Sequence, residues 1–433
     1  MAIYNLPALL NCLRDGYSMK KLLSIITSMI LLLSFVTGCN QNTVVSSSAA
    51  DERSPAVTEL IANTSGTVDL RVWTSEGEAE FISSQINDFV AKYSEIGFNI
   101  TVEKMSDEDK YNNLKVDVIG AADVFTCTDR HIDELLAEGA LSKIEREYTY
   151  NPAETNVRGS VTAALSDGIP VAYPRSIENG YFLLYDAAVY SEEDAESLDS
   201  MIVRAEETDT YISINVSDGW YLYGFFAGAG YTVNSDECDW DRAGSADVAQ
   251  GIMDLYASGR VVDLSDSDSA IGISTGKVSA LFTGMWRESS AEYYWGRNLR
   301  ARELPTFNVG GDQFRVGAFA EYSYYGVNPY SQNHEWASVL AEYLSGYDCQ
   351  LQLFALKGYV PTNNAVGDSE EVKEDKCAYA LFCESNYADP IRVDESFWAI
   401  SSEFGSALAS GDLGGQSLQD YMYDVTDRIL GIR

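Results

Sequence analysis

Five places in the chain bring acidic, basic and indole side chains close together. Asp129 and Arg130 are adjacent. Glu178 stands in a polar elbow, and Asp218 precedes Trp220 by two residues. Trp286 is followed by Arg287 and Glu288, and Trp398 follows Phe397. Carboxylates and a guanidinium make strong charge-assisted hydrogen bonds, and an indole offers a flat apolar face with one N–H donor. Each place also has a plainer reading. Asp129 could cap a helix that starts near Arg130. Arg130 could pair with surface acids, and Glu178 could be solvated. Trp220 beside Tyr221 and Tyr223, Trp286, and Trp398 in an apolar run could all be core, as mid-strand Trp73 is expected to be. Metal chemistry is poorly served. There are two histidines and no Cys-x-x-Cys, so neither a zinc site nor a cofactor is expected. Asp263, Asp266 and Asp268 resemble a calcium loop faintly, but the required Gly and distal Glu are out of register, and a solvated turn is expected.

These residues need elements to position them. Val68–Thr74 alternates apolar and polar as a strand. Glu76–Ile96 carries Phe81, Ile82, Ile86, Phe89 and Val90 at three- and four-residue steps, which predicts an amphipathic helix. Strands follow at 98–104 and 122–127, with a helix near 107–119 between them and another from Asp129-Arg130 to Gly139. Strands alternating with helices predict an α/β fold with a mostly parallel sheet covered on both faces. Ligands in such sheets bind beyond the carboxyl ends of the strands, where Trp73–Glu78 and Thr126–Arg130 fall. Residues 169–185 then read as two short strands, 169–173 and 181–185, joined by the elbow that carries Glu178 and punctuated by Pro174 and Asn179-Gly180. We read this stretch as a crossover between two lobes. Beyond it come helices at 245–258, 336–344 and 350–356, strands ending at Trp286, at 299–304 and at 316–327, and a helical region from Phe397. Residues 363–377 read as a linker or surface loop.

The start of the chain is different. Lys20 and Lys21 precede an apolar run, 22–36, which ends in small residues before Cys39, the pattern of a secretory signal. Residues 1–18 lie ahead of a better start at Met19. Residues 40–66 are rich in Ser, Thr, Asn and Ala and predict a flexible tether, with room for a short helix near 56–62. The chain has 433 residues, 46% of them hydrophobic, which supports a large core, and a net charge of −37. That charge argues against nucleic acid and anionic lipid surfaces as partners. Apart from Cys12 and Cys39, five scattered cysteines remain, too irregular for a disulfide framework; the spacing leaves a Cys377–Cys383 pair open.

Four segments, in order, resemble the extracellular solute-binding proteins of ABC importers, and most closely the sugar-binding family of maltodextrin-binding proteins. They are the Trp73 strand through Asp129-Arg130 to Leu141; Val171-Ala-Tyr-Pro-x-x-x-Glu178 to Tyr185; Gly276-Lys-Val to Gly284-Met-Trp286 and Leu304-Pro-Thr306; and Gly326-Val-Asn-Pro329 to Val360-Pro361. Val36-Thr-Gly-Cys39 likewise resembles a lipoprotein signal box, which implies cleavage before Cys39 and lipidation of that residue. The resemblance implies a two-lobed periplasmic-binding-protein-like fold that closes like a hinge. It places one lobe at 67–175 plus about 320–365 and the other at 176–319 plus about 366–433. It implies a carbohydrate ligand stacked on aromatic rings, with polar groups on its hydroxyls. Asp129 and Arg130 match the family's hydroxyl-binding pair, and Glu178 an acidic hydroxyl-binder. Asp218 and Trp220 match an acidic-x-aromatic pair, Trp286 the platform Trp, and Trp398 a late aromatic. Thr126 stands where the family has a Trp, Ser402 where it has an Arg, and Ser75–Glu78 replace a polar and basic set, so maltose itself does not follow. The resemblance further implies ABC permease subunits as partners, the membrane reached only through the lipid anchor, a monomer, and a location on the extracellular face of the cell membrane.

Two other functions fit the residue types. Asp129 and Glu178 could supply the acid and base of a glycoside hydrolase, although no eightfold βα repeat, nucleophile elbow or Ser-His-Asp set accompanies them. The surplus of acid over base also suits a binding protein for a cation, peptide or polyamine.

Overall fold

The computed structural model describes residues 53–432. The signal segment, residues 1–18, Cys39 and the first part of the expected tether lie outside them. The rest of that tether is not loose. Helix α1 (Pro55–Asn63) starts on Ser54, whose side chain accepts from the Val57 N–H, and Pro55 is suited to its first turn. Val57 and Leu60 are buried in a cluster with Phe89, Tyr93 and Trp336. Trp336 Nε1 donates to Thr64 Oγ1 at 2.8 Å. Apolar side chains at three-residue spacing thus dock a segment whose composition reads as linker.

Strand β1 (Thr67–Thr74) buries Val68, Leu70 and Val72 on alternate positions. Helix α2 (Ala79–Lys92), strand β2 (Gly97–Lys104), helix α3 (Asp107–Val116) and strand β3 (Val124–Thr128) follow, with β2 and β3 both parallel to β1. Residues Asp129–His131 form one 3-10 turn leading into helix α4 (Ile132–Ala137). Strand β4 (Tyr173–Gly180) and strand β5 (Phe182–Asp186) come next. The expected elbow is therefore itself strand: 174–180 is extended because it pairs antiparallel with the long strand described below. That partner overrides the local turn signal of Asn179-Gly180.

After β5 the chain builds strand β6 (Tyr211–Ser213), helix α5 (Gly219–Gly228), helix α6 (Ser245–Ala257) and strand β7 (Val261–Val262). Helix α7 (Asp266–Ser274), strand β8 (Val278–Thr283), helix α8 (Glu288–Trp295) and strand β9 (Leu299–Arg302) complete that region with a two-stranded hairpin over 306–315. Strand β10 (Ala318–Val327) then leads to helix α9 (His334–Leu344), helix α10 (Tyr347–Lys357) and strand β11 (Val360–Pro361). Residues 363–377, read as a loop, instead hold two short helices, Asn364–Gly367 and Glu370–Glu374, and the start of helix α11 (Lys376–Glu384). Asn363, Ser369 and Asp375 each cap one of them with a side-chain oxygen. Strand β12 (Ala388–Pro390), helix α12 (Glu395–Ser410) and helix α13 (Leu418–Ile429) end the chain.

Two sheets result. The first has seven strands in the order β11-β4-β10-β3-β1-β2, with β12 on β10. Only the β1, β2 and β3 pairings and the β10–β12 pairing are parallel, while β10 runs antiparallel to β3 and β4. The expectation of a mostly parallel sheet is thus corrected to a mixed one, because the returning strand enters from the far lobe without a crossover helix. The second sheet has five strands in the order β9-β5-β8-β6-β7. The chain leaves the first sheet at Tyr181, between β4 and β5, and re-enters it at β10, giving two α/β lobes joined by crossing segments.

Candidate functional site

An open cleft of about 550 Å³ gathers four of the candidate residues: Arg130, Asp218, Trp220 and Trp398. Asn179, Ile391, Val393 and Glu395 complete its lining. The first lobe contributes the end of β3 and β4, and the second contributes the first turns of α5 and α12.

The second-lobe wall is aromatic for a local reason. Asp218 caps α5, its Oδ1 accepting from the Trp220 N–H at 3.0 Å, which fixes Trp220 in the first turn. Helix α12 crosses closely at this point. A Cβ on Gly219 would lie 2.0 Å from Ser401 Oγ, so glycine permits the approach. The approach brings the Trp220 and Trp398 ring centroids to 6.4 Å at an interplanar angle of 33°. Phe319 of β10 lies 5.7 Å from Trp220 and 5.9 Å from Trp398, and Tyr181 lies 5.7 Å from Trp220. Trp220 Nε1 is buried without a hydrogen-bond partner, an unmet donor at the cleft wall.

The first-lobe wall is ionic. Arg130, half exposed, forks onto Glu321 of β10, with Nε to Oε1 at 2.9 Å and Nη2 to Oε2 at 3.0 Å. Burial pushes the Glu321 carboxyl up, against the pull of Arg130. Asp129, its neighbour, points inward. It is 4% exposed, and its Oδ1 accepts from the Tyr322 N–H at 3.1 Å. Its Oδ2 is buried with no partner. Burial, with Glu321 adding to it, lifts Asp129 to about 7. Asp129 is therefore placed behind the cleft wall and not among the lining residues. Glu178 is exposed on β4 and accepts from Ser176 Oγ at 2.7 Å, next to the lining residue Asn179.

Trp286 lies apart from this cleft. Its ring covers Gly284, where a Cβ would sit 1.9 Å from Cζ3, and its Nε1 donates to Asp266 Oδ1 at 3.0 Å. Arg287 also holds Asp266. The Asp266 carboxylate, part of the faint calcium-loop spacing, is thereby engaged by an indole and a guanidinium at the start of α7. Trp73 is core, 5% exposed, with Nε1 on Glu103 Oε2 at 2.6 Å. Cys377 and Cys383 are both free thiols.

Sequence reasoning missed Glu321, Asn179, Glu395 and the buried pair Glu78–Arg175. Arg175 Nη2 meets Glu78 Oε1 at 2.5 Å, with side chains 3% and 8% exposed. Burial alone would raise the Glu78 carboxyl, but Arg175, Thr74 and Lys110 together hold it below its usual range. Arg175 also lies 5.3 Å over Tyr325 and 5.6 Å over Tyr359. The signal for this pair was the acid Glu78 just past β1 and the lone Arg within 173–180. Nothing in their spacing linked residues so far apart.

The profile of the family described as bacterial extracellular solute-binding protein matches residues 85–379. No curated protein sequence matches the chain. A protein solved with acarbose is 25% identical, covers 85% of this chain and 100% of its own, and superposes with a TM-score of 0.61. The extracellular solute-binding protein from Staphylococcus aureus in complex with maltose is 15% identical with a TM-score of 0.71, over 85% of this chain and 98% of its own. The maltodextrin-binding protein MalE1 from L. casei BL23 is 16% identical with a TM-score of 0.69, over 84% of this chain and 100% of its own. The family and these last two neighbours are binding proteins, and the chain shares their two-lobed fold. With about two thirds of its length matched by the profile, the chain belongs to the bacterial extracellular solute-binding protein family.

Proposed function

We propose that the chain is an extracellular sugar receptor that takes an oligosaccharide between its lobes and delivers it to an ABC importer. The observation that carries this reading is the Trp220–Trp398 pair, 6.4 Å apart, facing a cleft that also holds Arg130, Asp218, Asn179 and Glu395. Sugar rings present apolar C–H faces and polar edges. The indoles suit the faces, and the carboxylates, amide and guanidinium suit the edges. Structural neighbours solved with acarbose and with maltose support the same ligand class. No chemistry is required: binding closes the lobes, and the closed form docks on permease subunits. Trp220, Trp398, Arg130 and Asp218 contact the ligand directly, and Asp129 and Glu178 hold that wall in place. Trp286 would join the site only in the closed form. A lipidated Cys39 tethers the receptor to the cell surface.

Tryptophan fluorescence and calorimetry with a panel of malto-oligosaccharides and other neutral glycans test this. Saturable binding to one glycan, lost in Trp398→Ala, is expected. A response to an amine, peptide or metal ion, with silence across the glycans, would keep the fold and overturn the sugar assignment. Release of sugar from the bound glycan would instead make the chain a hydrolase.

A further inference from the structure

The cleft is unbalanced in charge. Asp218, Glu395 and Arg130 line it, and no lysine does. Arg130 is already held by its two-point fork on Glu321. The other guanidiniums on the lining segments are spent as well. Arg392, between the lining residues Ile391 and Val393, lies 3.8 Å from Asp133 and donates to the Ala163 carbonyl at 2.8 Å. Arg175, on the strand that carries Asn179, is buried on Glu78. Among the described residues neither Asp218 nor Glu395 has a cation within ion-pair distance, and Glu178, beside Asn179, has none either.

The two lining carboxylates are fixed in place. Asp218 caps α5 and spends one oxygen on the Trp220 N–H, and Glu395 stands in the first turn of α12. Both are exposed in the open cleft, where water satisfies them. Closure of the lobes would take that water away. A carboxylate left unpaired in a dry site is costly, and a neutral hydroxyl compensates it only in part.

A guest that carries its own positive charge meets this need. A bare metal ion suits it poorly, because among the described residues no three carboxylates, thiols or imidazoles converge as ligands. A simple polyamine suits half of it. Ammonium groups only donate, whereas Trp220 Nε1 is a buried donor without a partner and calls for an acceptor. The indoles of Trp220 and Trp398, 6.4 Å apart, attract a cation and the C–H face of a ring alike. An amino sugar supplies all three: hydroxyl oxygens for the N–H, an apolar face for the indoles and an ammonium for the carboxylates.

We propose that the ligand is a glycan bearing a protonated amine, which Asp218 and Glu395 bind against the Trp220–Trp398 wall. The inference rests on the sugar reading of the cleft and narrows it from glycans at large to cationic ones.

The test is calorimetry on the purified full chain with matched pairs of ligands. Glucosamine oligosaccharides are compared with their N-acetylated forms, and the glycan that the neutral panel selects with a derivative in which an amine replaces one hydroxyl. Spermidine is the sugar-free control. The amine-bearing member is expected to bind about tenfold tighter or more, the scale of a hydrogen bond to a charged group, with an advantage that shrinks as salt is added. Glu395→Gln and Asp218→Asn should each bring the ratio of the two affinities towards one. Asn at 218 keeps an acceptor for the Trp220 N–H. Thermal melting confirms folding, and Glu395→Gln carries the test if the α5 cap does not accept the amide. Saturable binding of the neutral member with equal or weaker binding of its amine would overturn the inference and leave the receptor reading intact. A ratio that neither variant changes would overturn the assignment to these carboxylates. Spermidine bound as tightly as any glycan, or no binding by any ligand, would overturn the receptor reading and the inference with it.

Discussion

Arg130 and Glu321 meet as a fork on a carboxylate, two parallel hydrogen bonds of 2.9 and 3.0 Å that tie the turn after β3 to the middle of β10. The fork holds the Arg130 guanidinium at the cleft that Arg130 lines. Glu321→Ala is therefore expected to weaken glycan binding by about tenfold while changing the melting temperature little, because a half-exposed ion pair contributes only about 0–1 kcal/mol to folding. Arg130→Lys should not rescue binding, since an ammonium cannot hold two parallel bonds. Calorimetry beside a thermal melt reads both effects. Equal affinity in Glu321→Ala and wild type would show that the fork does not position Arg130.

The aromatic wall makes a sharper prediction. Trp398→Ala removes one face of the platform but leaves the core of α12, where Phe397, Phe404 and Leu408 are buried. The expected loss is at least tenfold in glycan affinity, about 1.4 kcal/mol, with circular dichroism unchanged. Trp286→Ala should cost less in the open form, because Trp286 is spent on Gly284 and Asp266.

Local pattern carried the fold a long way. The apolar steps of 81–90 and the alternation of 68–74 produced α2 and β1 within a few residues. It failed where a distant partner decided the local state. Residues 174–180 carry turn residues and are strand because β10 lies beside them. Residues 363–377 are polar and are helical because Asn363, Ser369 and Asp375 cap successive turns. The site divides the same way. Asp218-x-Trp220 was legible because a cap and its first turn are one local motif, whereas Glu321 and Arg175 were not, because their partners arrive from other strands.

Asp129 predicts a pH effect with a definite sign. Its folded value of about 7 lies above its ordinary 3.8. The folded chain thus holds this proton where the unfolded chain has released it, so the contribution to stability falls as pH rises from about 4 to about 7 and stays low above that. Asp129→Asn keeps the Oδ1 acceptor for the Tyr322 N–H and removes the charge. It should raise stability at pH 8 by up to about 4 kcal/mol and by little at pH 4. Urea unfolding at the two pH values measures the difference, and an equal effect at both would refute the assignment.

The Glu78–Arg175 pair should behave oppositely. Both groups are buried, and Glu78 is held low. Glu78→Gln leaves Arg175 charged and without its carboxylate, which is expected to cost about 3–5 kcal/mol. Chemical denaturation reads this directly, and a cost below about 1 kcal/mol would mean that Ser323, Tyr325 and Tyr359 suffice for the guanidinium.

Cys39 makes a prediction in cells. In a bacterial host that processes lipoproteins, the wild-type chain should take up labelled fatty acid and sediment with membranes. Cys39→Ala should lose the label and move to the soluble fraction. Retention on membranes without label would overturn the anchor.

Tyr181 alone separates β4 in one sheet from β5 in the other. Its hydroxyl reaches the Gly317 carbonyl at 3.4 Å, and the Gly317 N–H in turn donates to Gly224 O at 2.8 Å, just where the chain crosses back. One residue spans at most about 3.6 Å, so the two sheets are held close together at this crossing. The crossing thus leaves little slack where the two sheets meet, much as a score line leaves little in a sheet of card. On the receptor reading, dye labels placed on opposite sides of this crossing are expected to draw together when the selected glycan is added, and an unchanged separation would show that the lobes do not close on it.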